Sequence, residues 1–249
     1  MNLRDTEEAW YYYLYAVVLV GGLVTFAHRF IIKPEQLWYK GRALAESIKT
    51  STWRFCMRAA PFDTGNELEA VASFRNHLRS VLAANQFAGS KLPPEGADEQ
   101  QITSDMLELR TLSCEQRLAY YDENRIREQR AWYARKAGAN RRWALVWAVS
   151  SVVCYALAIC FALTRAANPS WKVLPTDPMI ALASAIVGWM QAKRFNELAS
   201  SYTLTAHEIG ILQADAGKAV CEASLSDFIN EAELAFSREH TQWVARIAD

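Results

Sequence analysis

The chain has 249 residues, enough for one large or two small domains, and its 27 basic and 27 acidic residues sum to a formal net charge of zero. That balance argues against a generic nucleic-acid binder, which carries a basic excess, and no direct nucleic-acid partner is expected. Cys56, Cys114, Cys154, Cys160 and Cys221 form no CxxC pair and no His/Cys cluster, so neither a zinc site nor a disulfide framework is expected, and free thiols fit a reducing compartment.

The first apolar run is Trp10–Ile32, uncharged as far as Ala27 and interrupted by His28 and Arg29 in its last turn. It is long enough for a membrane span, with Trp10 to Tyr13 as an interfacial belt and Arg29 snorkelling to the headgroups. The preceding MNLRDTEEAW is acidic and no small-residue cleavage site follows the run, so a signal peptide is not expected. Residues 33–87 are amphipathic and charged. The pattern predicts a helix over Lys40–Ala60, broken by Pro61 and Gly65. Thr64-Gly65-Asn66-Glu67 has capping-box spacing, and Val71, Phe74, Leu78 and Leu82 recur at three- and four-residue steps, as on a one-faced helix. Ala88–Ser104, with two prolines, two glycines and no apolar period, reads as a linker between a unit over 1–87 and another over 105–249.

From Asp105 to Arg142 the pattern is helical, with a cap available at Ser113-Cys114-Glu115-Gln116. It ends strongly basic: Arg125, Arg127, Arg130, Arg135, Lys136, Arg141 and Arg142 stand against Glu128 alone. The plain explanation of that run is a membrane-proximal anchor; anionic lipid or a nucleotide signal is the alternative ligand. Then comes Trp143–Thr164, without one charge and bordered by Arg141, Arg142 and Arg165. At about 1.5 Å per residue it matches a hydrocarbon core of about 30 Å. Asn168-Pro169-Ser170 predicts a turn, Asp177 an N-cap and Pro178 a first helical residue. Met179–Ala192 is short for a span before Lys193 and Arg194, and works if part of Trp171–Thr176 enters the bilayer or the two cations snorkel, giving a third span over about 174–192. Helices over 195–221 and 225–247 close the chain, and no segment reads as a strand.

The expected fold class is therefore all-α: an integral membrane protein with about three transmembrane helices continuing into cytoplasmic helical hairpins. Basic residues favour the cytoplasmic side. Arg4 faces Asp5, Glu7 and Glu8 before the first span, whereas Arg29, Lys33, Lys40 and Arg42 follow it. With the basic run before Trp143 and Lys193-Arg194 after the third segment, the expected orientation is N-terminus outside and C-terminus cytoplasmic in a multi-pass protein. Ser150, Cys154, Ala158 and Ala162, and likewise Ser184, Gly188 and Ala192, fall at four-residue steps that let helices approach closely in lipid. They read first as a packing seam between the two helices or between subunits; a pore face using Ser150, Ser151, Ser184 and Gln191 is the alternative. No catalytic, cofactor-binding or metal-ligating residue is assigned: the four histidines are scattered, His207-Glu208 lacks a second histidine, and no Gly-rich phosphate loop is present. An enzyme is not expected.

Two local patterns carry a family resemblance. Arg117, Tyr121, Arg125, Gln129, Trp132-Tyr133, Lys136-Ala137 and Asn140 precede a two-span hairpin, and Ser237-Arg238-Glu239-His240-Thr241 with Trp243 closes the chain. Together they resemble the SLATT family, bacterial two-span effectors associated with nucleotide-signalling conflict systems. Ala45-Glu46-Ser47-Ile48-Lys49-Thr50, Trp53-Arg54 and Pro61-Phe62 look like a second, divergent unit, so the chain resembles a tandem fusion. Its first unit shows one span where the resemblance implies two; either the start is truncated or the unit has lost a helix. The resemblance implies an effector of a bacterial antiphage system that oligomerises into a pore or perturbs the inner membrane, causing cell death or dormancy. It further implies a lipid bilayer, other copies of the chain, and a nucleotide second messenger or defence-system sensor protein as partners. A membrane-anchored helical scaffold that recruits a cytoplasmic partner without forming a pore is the competing expectation. Glu239 and His240 are expected to pair with the basic 125–142 helix, Arg135 being the first candidate.

Overall fold

The computed structural model describes the backbone of residues 3–32, 34–86, 100–171, 174–218 and 221–248, and the side chains of 12–28, 30–32, 38, 40–86, 100–171, 174–217 and 221–236. Every long regular element among them is an α-helix: α1 (Leu3–Ile32), α2 (Pro34–Cys56), α3 (Glu67–Ala84), α4 (Ser104–Thr111), α5 (Cys114–Tyr121), α6 (Glu128–Ala167), α7 (Thr176–Lys193), α8 (Phe195–Asp215) and α9 (Glu222–Ala248). A π-helical turn, Asp122–Arg127, joins α5 to α6. The predicted all-α class is thus observed. The chain forms two compact units: Met1–Trp53 with Thr64–Gln101 and His240–Asp249, and Arg54–Asp63 with Ile102–Glu239. Most of the expected linker Ala88–Ser104 lies outside the described residues.

In the first unit, α1 carries a 21-residue apolar stretch, Tyr12–Ile32, none of it buried. The Thr25 hydroxyl within it donates to the Gly21 carbonyl at 2.8 Å, so the helix itself satisfies that group. Trp10 and Arg29, expected at its two borders, have side chains outside the described set. α2 starts earlier than predicted, at Pro34, because proline fits the first turn of a helix, where its missing N–H costs nothing. It stops at Cys56, four residues short of the predicted Ala60, as Arg58 takes a left-handed conformation (φ 54°) and the chain reverses. Asn66, and not Thr64, caps α3, its side chain accepting from the Leu68 N–H at 3.1 Å; the Thr64 hydroxyl donates instead to Glu69. Phe74 is buried, but Leu82, at the end of the predicted stripe, is 50% exposed.

The second unit is organised by one rod. α5, the π turn and α6 run without interruption from Cys114 to Ala167, 54 residues, or about 80 Å. The predicted cytoplasmic helix and main span are therefore a single element. The Ser113–Gln116 capping box predicted for its start is present. α7 returns along the apolar half of α6, where Cys154, Ala183 and Ile186 are buried together against Trp147 and Met190. α7 begins at Thr176, not after an Asp177 cap; Asp177 lies in the first turn, where a carboxylate still favours the positive end of the helix dipole. Arg194, left-handed at φ 50°, ends α7 with its N–H on the Met190 carbonyl, and α8 continues along the basic half of α6. For a residue with a Cβ that conformation costs about 1–2 kcal/mol, which marks a fixed bend.

Two helices among the described residues are long and apolar enough to cross a membrane: α1, and the rod through its α6 portion, whose mean hydropathy reaches 2.2 with 22% buried. Val152 and Leu163 are 68% and 66% exposed, and Leu145, Val149 and Ile159 accompany them. Such a continuous apolar surface is foreign to a water-facing helix. α7, the expected third span, has 18 residues but falls short of that apolarity.

Candidate functional site

Arginine is almost never fully buried unless paired. Here Arg110, Arg117 and Arg125 are 1%, 0% and 0% exposed, all in the second unit. They line up because α4, α5 and the π turn present them to the same interior. Arg117 and Tyr121 are four residues apart in α5. In an α-helix the next four residues would overshoot the turn by a further 40° or about that. The wider π turn, closing i to i+5, brings Arg125 back beneath Tyr121. Both then converge on one carboxylate.

That carboxylate is Glu233 of α9, itself 0% exposed. Arg125 donates from Nε to Oε1 at 2.8 Å and from Nη2 to Oε2 at 2.7 Å, a bidentate fork. The Tyr121 hydroxyl donates to Oε1 at 2.9 Å. The Phe236 ring lies 4.9 Å under the Arg125 guanidinium and the Phe228 ring meets Tyr121 edge-on. Burial, and then the Glu233 carboxylate, push the Tyr121 phenol well above its ordinary pKa.

The other two arginines hold the reversal that follows α2. Arg110 donates to the Phe55 and Phe62 carbonyls and covers the Phe55 ring at 4.5 Å. Arg117 donates from Nη1 to the Met57 carbonyl at 2.6 Å, from Nε to the Leu112 carbonyl at 3.1 Å, and pairs with Glu222. The Ala60 N–H donates to the Ser226 hydroxyl at 3.0 Å. Cations placed on the free carbonyls at a helix C-terminus oppose the negative end of its dipole, and this is how α2 is anchored. Phe55, Met57, Ala59 and Phe62 are buried around these bonds, and burial pushes the Cys56 thiol up to about 12.

Of the signature residues expected from sequence, Arg117, Tyr121 and Arg125 belong to this cluster. Trp132, Tyr133 and Lys136 belong to a second one. Trp132 and Tyr133 each lie 5.8 Å from the Tyr202 ring of α8, and the Lys136 ammonium sits 5.6 Å over Trp132. Gln129 is half-buried, and Asn140 is half-buried with its amide on the Lys136 carbonyl. Ser237, Arg238, Glu239, His240 and Trp243 have side chains outside the described residues, and with them the expected Glu239–Arg135 pairing. The basic run also divides. Arg125 is buried on Glu233, Arg127 pairs with Asp122 and Glu123, and Arg130 reaches Gln213, whereas Arg135, Lys136, Arg141 and Arg142 are exposed. The small-residue positions divide too: Cys154 and Ala158 are buried, Ser150 is half-buried with its hydroxyl on the Val146 carbonyl, and Ala162, Ser184, Gly188 and Ala192 are exposed.

Sequence reasoning missed Arg110, Glu222 and Glu233. Glu233 carried a usable signal: it continues the face of Ile229 and Phe236, so an acid interrupts an apolar stripe. The cluster is a lock, with each buried charge answered by an ion pair or by carbonyls. A second polar pair, in the first unit, sets the Ser51 hydroxyl 2.7 Å from the His77 Nε2, and the same hydroxyl lies 2.8 Å from the Ser47 carbonyl.

Two family models match the chain. SMODS and SLOG-associating 2TM effector domain 3 covers residues 1–118, and SMODS and SLOG-associating 2TM effector domain 1 covers 121–243. The matches meet inside the rod, beside Tyr121. Residues 54–63 and 102–118 of the first match pack in one compact unit with residues of the second, and Arg110 and Arg117 supply contacts there. No curated protein and no solved structure matches the chain.

Proposed function

The chain belongs to the SLATT family as two of its domains in tandem, a membrane effector of conflict systems at the level of the family, and from that premise we propose that it acts in antiphage defence by opening or perturbing the bacterial inner membrane. The observation that carries the proposal is the unbroken rod Cys114–Ala167. One end is fixed by the Arg125–Glu233 fork and the other is the apolar, lipid-facing stretch. A displacement at the cytoplasmic end therefore has no joint in which to dissipate before it reaches the bilayer.

In this reading α7 is a third span in addition to α1 and α6, with the N-terminus outside and the C-terminus in the cytoplasm. Three spans enclose no water path, so several copies assemble. The exposed Ser184, Gly188 and Ala192 face supports a subunit seam, since among the described residues nothing stands within 4 Å of a Cβ built at Gly188. Regulated expression should depolarise the membrane and arrest growth, and purified protein should release dye from liposomes. A protein that inserts, yet leaves potential, viability and vesicles intact with its activating partner present, refutes the effector reading and leaves the scaffold.

A further inference from the structure

We propose that the cytoplasmic edge of the α6–α7 hairpin is a binding site for the headgroup of an anionic phospholipid. The inference rests on the membrane reading of these two helices and goes beyond it by assigning a ligand. Trp147 and Met190 pack on the same small core, which sets the register of the antiparallel pair. One turn outward from Trp147 stands Trp143, its ring stacked at 6.4 Å, preceded by Arg141 and Arg142. One turn outward from Met190 stand Lys193 and Arg194. The two pairs of cations therefore reach the same end of the hairpin, and all four are exposed.

The acids nearby are few. There is no Asp or Glu from Gln129 to Thr176, and after Asp177, at the far end of α7, the next is Glu197. Glu197 lies 3.4 Å from Arg194, so along α6 and the α7–α8 bend that one carboxylate stands against four cations in sequence. The left-handed Arg194 turns the chain at this level, directly after Lys193, whose ammonium sits 4.8 Å over the Trp189 ring. Trp143 and Trp189, 53% and 45% exposed, bracket the cations on the apolar side, with Leu145, Val146 and Val187 beyond them. A soluble phosphate ligand wants a polar enclosure. This edge has a cationic rim and an apolar wall, the complement of a phosphate attached to acyl chains.

The test uses full-length protein in vesicles of equal phosphatidylglycerol and phosphatidylcholine, checked by flotation, then extracted in mild detergent for native mass spectrometry of the retained lipid. Wild type should retain phosphatidylglycerol in excess over the vesicle ratio. The triple variant Arg141→Gln, Arg142→Gln, Lys193→Gln should lose on the order of tenfold or more of that excess. Arg135→Gln with Lys136→Gln, exposed cations farther from the apolar stretch, should keep it, and so should Arg141→Lys with Arg142→Lys. An unchanged excess in the triple variant, or no excess in wild type that floats with the vesicles, overturns the lipid site alone. Protein that fails to float overturns the membrane reading with it. Displacement of the lipid by millimolar inorganic phosphate overturns the lipid assignment in favour of a soluble anion.

Discussion

The Arg125–Glu233 pair makes the sharpest prediction. Both side chains are 0% exposed, and three donors at 2.7 to 2.9 Å satisfy the carboxylate. Arg125→Met removes two of those donors and the guanidinium that answers Glu233, leaving a desolvated negative charge. The expected cost is about 3–5 kcal/mol, the usual penalty for stranding half of a buried pair. Against a typical total stability of about 5–15 kcal/mol, that is a large fraction. Glu233→Leu should cost a similar amount by stranding the guanidinium. The double variant leaves neither charge and fills the volume with apolar atoms that Phe228, Ile229 and Phe236 already favour. It should recover most of the loss, giving a coupling of at least about 2 kcal/mol in the cycle. Denaturant unfolding of the detergent-solubilised chain, followed by tryptophan fluorescence, reads all four corners. Single variants costing less than about 1 kcal/mol, or a cycle without coupling, would refute the claim that this pair locks the foot of the rod.

Three further outcomes follow from the same geometry. The folded Tyr121 phenol titrates above the unfolded one, so its contribution is complete below the ordinary value of 10.0 and is lost as the pH rises above it; Tyr121→Phe should cost about 1 kcal/mol at neutral pH and flatten the alkaline arm of the stability profile. Alkylation at pH 8 followed by peptide mapping should label Cys221, exposed and with its thiol pKa lowered by hydrogen bonding with Ser224, long before Cys56, whose thiol burial pushes up to about 12. Gly188→Leu adds a Cβ that meets no described atom within 4 Å and removes a helix-interior glycine, so it should not lower thermal unfolding of the monomer, yet it should reduce cross-linked oligomer and dye release if the Ser184–Gly188–Ala192 face joins subunits; an unaltered oligomer refutes that seam.

The fold was readable where a single force dominated. An uncharged run as long as Trp143–Thr164 can satisfy its backbone only as a helix, and the Ser113–Gln116 box declares its own start. Boundaries set by competition were not. Asn66 displaced Thr64 as the α3 cap because a side chain one residue before the helix reaches the free N–H groups directly, and α2 ended at Cys56 because buried cations reward exposed carbonyls there. The site was half legible for the same reason. Arg117, Tyr121 and Arg125 were visible through their resemblance to a family pattern, but Arg125 read as part of a membrane-proximal basic run. A helical pattern at 3.6 residues per turn cannot anticipate the π turn that folds Arg125 inward. Nor can one helix reveal the carboxylate that makes burial tolerable, since Glu233 lies 108 residues away. The buried arginines therefore carry information of a kind that periodicity discards. A charge enters the interior only if a distant partner arrives with it, so Arg110, Arg117 and Arg125 tie the reversal at residues 54–63, α4, the rod and the first part of α9 together within the second unit. Loosening any one of those ties should be felt along the rod, which is the property the proposed effector requires.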